Sequence, residues 1–218
     1  MTRVVERRRL NRDLVLDAAL ALVDESGPEG LSMRLLGARL GVEAMSLYNH
    51  VASKADLLDG LHERLVLEVA VDLHEDEPWT EALRRFAAAY RQVAVSHRRA
   101  FVLLATRPLG TTPAVMHLEP LFAMLGRSGF APAQRLLLLD TYFTFLNGFL
   151  LAEVGTVPGH ADVPEPNLLG AFRASPDPGS DVAMAVDDLT TGWEGLSASF
   201  DTAVGLVIAG LATLQPES

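Results

Sequence analysis

The chain contains no cysteine among its 218 residues. Disulfide cross-links, thiolate metal ligands and cysteine nucleophiles are therefore excluded. Aromatic residues make up only 6% of the sequence, and its apolar half is drawn mostly from Leu, Ala and Val. That mixture favours helix over strand. No stretch alternates apolar and polar residues as a half-buried strand does, and no internal repeat is present. No segment reads as a signal peptide, because the apolar run from Leu14 to Val23 is broken by Asp17 and followed by Asp24 and Glu25. The most apolar stretch, Leu136 to Ala152, is interrupted by Asp140 and Asn147. It also falls short of the roughly 20 residues that span a bilayer. These absences predict a soluble, cytoplasmic protein without a membrane partner.

Groupings that carry chemistry are also missing. The six histidines, at positions 50, 62, 74, 97, 117 and 160, form no pair at the i, i+4 spacing of a helical metal site. There is no glycine-rich phosphate loop, no serine nucleophile elbow and no clear carboxylate dyad. The expectation is a protein that is not an enzyme and that uses no metal or cofactor.

The net charge of −10 is unevenly spread. Residues 1–64 carry 9 basic and 10 acidic side chains, whereas residues 65–218 carry 9 and 18. Within the nearly neutral part, Arg3, Arg7, Arg8, Arg9 and Arg12 against Glu6 make a local basic arm. Local charge, not the sum over the molecule, governs contact with phosphates. A solvated tail has the same composition.

Helical periodicity begins at Leu14, with Val15, Ala18, Ala19 and Leu22 on one face. Gly27-Pro28 and Gly30 end this helix. Ser32 caps a second, short helix burying Met33, Leu36 and Leu40, and Gly41 supplies a tight turn. A third short helix is expected from about Glu43 to His50. Ser53, with Asp56 three positions on, caps a fourth from Lys54 to about Leu73, burying Leu57, Leu58, Leu61 and Leu65. Further helical segments cover 79–104, 113–127 and 132–154. Residues 155–180 hold five of the twelve prolines and little periodicity, and predict a long loop. A last helix is expected over about 182–214, with Trp193, Leu196, Phe200, Val204, Val207 and Leu211 along one side.

Two short helices joined by a glycine turn are the topology that sets a helix into the DNA major groove. The same topology occurs in proteins that bind no DNA. The detailed residues decide further. Leu31-Ser32, Leu36, Leu40-Gly41-Val42, Leu47-Tyr48, His50, Lys54 and Leu57-Leu58 strongly resemble the TetR family of bacterial regulators. The likeness is greatest to its tetracycline-repressor class, in the run GVEAMSLYNHVASKADLLDGL. Weaker likeness continues at Trp79, Thr106-Arg107-Pro108 and Gly129-Phe130.

The resemblance implies an all-α fold, with a three-helix helix-turn-helix domain over residues 1–64 and a helical effector-binding and dimerisation bundle over 65–218. It implies a repressor that binds a palindromic double-stranded DNA operator as a homodimer and is released by a small organic effector. Lys54, the only lysine of the chain, can reach a phosphate from the start of the fourth helix, as can Tyr48 and His50 from the end of the third. Arg34, Ser46 and Asn49 are the candidate readers of base edges, since Arg pairs with guanine and Asn with adenine. Ala44 and Met45 offer apolar contact to thymine methyls.

In the bundle, the helix around 135–154 has charge only at Arg135, Asp140 and Glu153. It must be covered on several sides. The last helix carries Gly195, Ser199, Gly205, Ala209 and Gly210, which permit close helix approach. The resemblance makes these two helices the dimer interface; internal core helices of a monomer would show the same pattern. The polar anchors of a magnesium–tetracycline chelate do not carry over. Their positions hold Phe86, Leu103 and Glu119, and the histidine late in the fourth helix falls near Ala70. Tetracycline is therefore not the expected effector. Phe86, Tyr90, Leu103, Arg107, His117, Glu119, Phe122, Tyr142 and Asn147 are the candidate pocket residues, with a composition suited to a mid-sized organic ligand. Plain core packing accounts for each of them equally well. An all-helical small-molecule-binding protein or enzyme with a merely structural N-terminal bundle is the alternative.

Overall fold

A computed structural model describes residues 10–74, 77–157, 160–164, 179–181, 183–184 and 196–214. Arg3, Arg7, Arg8 and Arg9 of the basic arm, most of the proline-rich stretch, and Trp193 and Gly195 of the expected last helix lie outside the described residues.

The first four helices are α1 (Arg12–Gly30), α2 (Met33–Leu40), α3 (Ala44–Leu47) and α4 (Lys54–Glu68). Asn11 caps α1 through its side chain, which accepts from the Leu14 amide. Gly27, at φ 78°, breaks the helical path inside α1 just before Pro28. Ser32 and Ser53 cap α2 and α4 as their sequences predict. Asp56 does not close a capping box on Ser53; its carboxylate accepts from the Ala52 amide at 2.7 Å and pairs with Arg12. Leu36, Leu47, Leu57 and Leu61 are completely buried together with Val15 and Ala19. Each such leucine stabilises the small bundle by roughly 1.5–3 kcal/mol relative to an exposed position. Helix α4 ends at Glu68, a turn earlier than its expected end, and Ala70 is exposed beyond it.

The second layer comprises α5 (Trp79–Ser96), α6 (Phe101–Thr106), α7 (Thr112–His117), α8 (Glu119–Arg127), α9 (Pro132–Val154) and α10 (Leu196–Ala212). The expected 79–104 segment is split by a turn at 97–100, and the expected 113–127 segment is interrupted at Leu118. Helix α9 is the spine of this layer and packs against α5, α6, α8 and α10. Its buried ladder of Leu138, Tyr142, Leu146, Leu150 and Val154 follows the i, i+4 spacing of one helix face. Tyr142 donates to the Leu83 carbonyl from within that core. At 23 residues, α9 is long and apolar enough to cross a membrane by length and composition, and in the described chain it packs one face against four other helices. Within 155–180, read from sequence as irregular, strands β1 (Thr156–Val157) and β2 (His160–Pro164) pair antiparallel.

The two layers are joined by α4, which touches both α1 and α6–α7, and by a polar latch at the α5–α6 turn. His97 Nδ1 lies 2.8 Å from Asp24 Oδ2, and its Nε2 lies 3.0 Å from Glu68 Oε2. Arg99 donates to the Glu25 carbonyl at the same corner.

Candidate functional site

The α2–turn–α3 unit presents one outward face. Gly41 takes a left-handed conformation (φ 66°, ψ 34°), and the Val42 amide donates to the Gly37 carbonyl at 2.9 Å. This folds α3 back on α2. The approach is close enough that Gly37, buried in α2, meets the Val42–Ala44 backbone directly. Sequence reading assigned no role to Gly37. Leu47 anchors α3 into the core, and the chain leaves the helix through i−3 turns at Tyr48, Asn49 and His50. The third helix is thus four residues long, shorter than the expected 43–50.

Around that anchor, Arg34, Met45, Tyr48 and Asn49 are exposed, while Ala44, Ser46 and His50 are half-buried. Met45, at 74% exposure, is an apolar side chain with no cover in the chain itself. A guanidinium on α2, a thioether on α3, and a phenol and an amide in the turns that follow α3 are groups suited to a polar groove with methyl contacts. Two expected phosphate ligands are otherwise engaged. Lys54 donates through Nζ to the Leu31 carbonyl at 2.6 Å, which leaves two of its three N–H groups. Arg12 forms a two-pronged pair with Asp56 and also donates to the His50 carbonyl at 3.1 Å. Its hydrogen bond to Asp56 holds that carboxyl below the ordinary aspartate range. Arg12 is therefore a brace between α1 and the α3–α4 corner rather than part of a free basic arm.

A cavity of about 330 Å³ lies between α4, α5, α6, α8 and α9. Of the nine residues expected to line a pocket, Phe86, Tyr90, Arg107, Phe122 and Asn147 do so. The other four do not. Leu103 and Tyr142 are buried in the core, and their chain neighbours Leu104 and Phe143 face the cavity instead. One residue along a helix is a rotation of about 100°, so periodic reading that errs by one position selects the wrong face. Glu119 is exposed. His117 stands behind the wall, its Nε2 2.8 Å from the carbonyl oxygen of Val69, which does line the cavity.

Sequence reading also missed His62, Val66 and Asp140 in the lining. The signal for His62 was its place on α4 three residues before Leu65 and one after Leu61, but it was weighed only for metal spacing. His62 is buried, with 2% of its surface exposed. Burial first, and then the Arg107 charge, push its imidazole below the usual histidine range. Tyr90 donates to Asn147 Oδ1 at 2.7 Å, and burial raises the phenol well above the ordinary tyrosine range. Arg107 pairs with Asp59 of α4. The described residues hold no group of three or more His, Cys, Asp or Glu side chains placed to bind a metal ion.

Comparison with known proteins gives two family matches. Residues 15–61 match the model of bacterial regulatory proteins of the tetR family, and residues 73–215 match that of the tetracyclin repressor-like C-terminal domain. An HTH-type transcriptional regulator of Saccharopolyspora erythraea is 34% identical over 144 residues, 66% of this chain and 61% of that protein. The class D tetracycline repressor protein of Escherichia coli is 40% identical over 107 residues, 46% of this chain and 47% of that one. The aligned part thus spans about half to three-fifths of these relatives. A crystal structure of a possible TetR family transcriptional regulator from Streptomyces coelicolor superposes with a TM-score of 0.78 at 25% identity, covering 94% of this chain and 100% of that one.

Proposed function

Because the chain belongs to the tetR family of bacterial regulatory proteins, we propose that it is a transcriptional repressor that binds a palindromic operator as a homodimer and leaves it when a small organic molecule enters the α4–α9 cavity. The observation that carries this reading is the α2–turn–α3 face. Its exposed Arg34 of α2, Met45 of α3, and Tyr48 and Asn49 just after α3 stand around the Leu47 anchor and the Gly37–Gly41 turn. In this reading Arg34, Ser46 and Asn49 read base edges, and Ala44 and Met45 meet thymine methyls. Tyr48, His50 and the remaining Lys54 N–H groups meet phosphates. The match of residues 15–61 to a regulatory family favours this role over a merely structural N-terminal bundle.

A bare, uncharged stripe of mostly small residues supports the homodimer. On α9, Leu137, Thr141, Thr144 and Gly148 are exposed at helical spacing, and on α10 Thr202, Leu206, Ala209 and Gly210 are likewise exposed. Nothing lies within 4 Å of where a side chain would begin at Gly148 or Gly210, so a second copy of these helices can approach closely. The division between reading and effector domains falls within α4, near residue 64. Helix α4 then carries His62 and Val66 into the cavity wall while its first residue, Lys54, faces the operator. A ligand with different affinity for two settings of α4 shifts the spacing of the two reading heads. The lining rings, among them Phe86, favour an effector other than a magnesium–tetracycline chelate. A DNA operator as target goes with a cytoplasmic protein.

Footprinting on the region upstream of the protein's own gene tests the proposal. Protection of a symmetric site by a dimer, measured together with molar mass by light scattering, is the expected result. A monomer, or no symmetric protection, refutes it.

A further inference from the structure

The α4–α6 side of the cavity holds two polar side chains, His62 of α4 and Arg107 at the end of α6, whose hydrogen-bonding capacity is unspent. Arg107 gives one Nη to Asp59, and its Nε is buried without a partner among the described residues. His62, on the same wall, has no hydrogen-bond partner among the described residues. A buried donor such as Arg107 Nε is costly unless a partner is supplied. The opposite wall differs in sign: α9 contributes the Asp140 carboxylate and the Asn147 amide. Between them three rings form one cluster. Phe86 and Phe143 meet edge to face at 5.5 Å between centroids, and Tyr90 lies 5.9 Å from each.

We infer that the effector is an aromatic acid, oriented with its anionic group on Arg107 and His62 and with a hydroxyl or similar donor toward Asp140. The inference rests on the reading of this cavity as the effector site. The ring cluster selects a flat aromatic body, since stacked and edge-on contacts reward a planar partner. Arg107 supplies the charge: a guanidinium in a partly desolvated wall favours a carboxylate or ionised phenol over a neutral oxygen. His62, kept neutral by burial and by Arg107, adds a single N–H without adding a second charge. Asp140 repels an anion at the far end, so it fixes which way round the molecule lies. The acid also competes with Asp59 for Arg107, which ties the loop after α6 to α4.

The test uses the full-length dimer and three probes at neutral pH, followed by calorimetry. The probes are a hydroxynaphthoic acid with hydroxyl and carboxyl at opposite ends of the ring pair, its carboxamide, and naphthol. The acid is expected to bind at least about tenfold more tightly than the amide, as a charge-assisted bond exceeds a neutral one. Arg107→Gln abolishes that preference by weakening the acid alone, and Arg107→Lys retains most of it. Equal affinities, a preference that survives Arg107→Gln, or no binding of the acid overturns the inference. If naphthol binds and a cavity-filling Leu104→Trp abolishes its binding while the acid fails to bind, only this inference falls. If none of the three binds, the effector reading of the cavity falls with it.

Discussion

Lys54 Nζ donates to the Leu31 carbonyl at 2.6 Å, joining the first residue of α4 to the residue that ends α1. The only lysine of the chain therefore braces the N-terminal helices and still has two N–H groups for the proposed phosphate contact. Lys54→Met should lower unfolding free energy by about 1 kcal/mol, the scale of a part-exposed charged hydrogen bond. It should also reduce the salt slope of operator affinity by about 0.9 for a lost phosphate contact. Urea denaturation and salt-dependent gel shifts separate the two effects. An unchanged salt slope makes Lys54 a brace only.

Gly37 is held to glycine by neighbouring backbone. A Cβ there would lie 2.9 Å from the Val42 carbonyl oxygen and 3.2 Å from the Ala44 nitrogen. Gly37→Ala must push α3 away from α2. Operator binding should weaken tenfold or more, about 1.4 kcal/mol, along with some loss of stability from overpacking. At Gly41 nothing lies within 4 Å of a Cβ, so Gly41→Ala should pay only for its positive φ, about 1 kcal/mol. A Gly37→Ala protein with normal operator affinity would contradict the close α2–α3 approach.

The Arg12–Asp56 pair makes stability depend on pH in a defined direction. The Asp56 pKa is lowered from 3.8 in the folded protein, first by its hydrogen bond to Arg12. Its contribution is therefore fully present above the unfolded value and is lost as pH falls through the depressed folded value. Asp56→Asn should cost no more than about 1 kcal/mol at neutral pH, since the pair is partly exposed and screened by solvent. The difference from wild type should shrink toward zero in acid. Denaturation midpoints measured from neutral pH down to below 3.8 check this. A gap that persists in acid assigns the loss to something other than the ion pair.

Leu206 is 71% exposed on α10, beside the small residues of the stripe. Leu206→Glu leaves the fold of one chain intact, because the side chain touches little within it. In the proposed dimer it buries an unpaired charge, which should weaken association by about a hundredfold or more, roughly 3 kcal/mol. Sedimentation across a dilution series reads this directly, and operator affinity should fall in parallel. A variant as dimeric as wild type moves the interface elsewhere.

His97 is placed to hold the two layers together. Both ring nitrogens face carboxylates, Asp24 of α1 and Glu68 at the end of α4. His97→Ala should destabilise by about 1 kcal/mol, because the half-buried Asp24 loses its partner. Amide exchange should rise first at the ends of α1 and α4. Uniform exchange across the chain would argue against a local latch.

Much of this protein is determined by its sequence alone. The 3.6-residue periodicity of Leu, Val and Ala sets the helices, and Ser32, Ser53 and Gly41 set where α2 and α4 begin and where the turn lies, because capping and positive φ are local properties. The order of residues from Leu31 to Leu61 is enough to mark the proposed reading head. The tertiary structure decided what depends on contacts between distant segments. Arg12 and Lys54 look like free cations in the sequence, and only folding brings Asp56 and the Leu31 carbonyl to them. Gly37 needs glycine because of a backbone five residues on that the turn folds back against it. The cavity takes Leu104 and Phe143 rather than Leu103 and Tyr142. In helices apolar on nearly every side, the face turned inward is fixed by the neighbouring helices and not by the helix's own pattern.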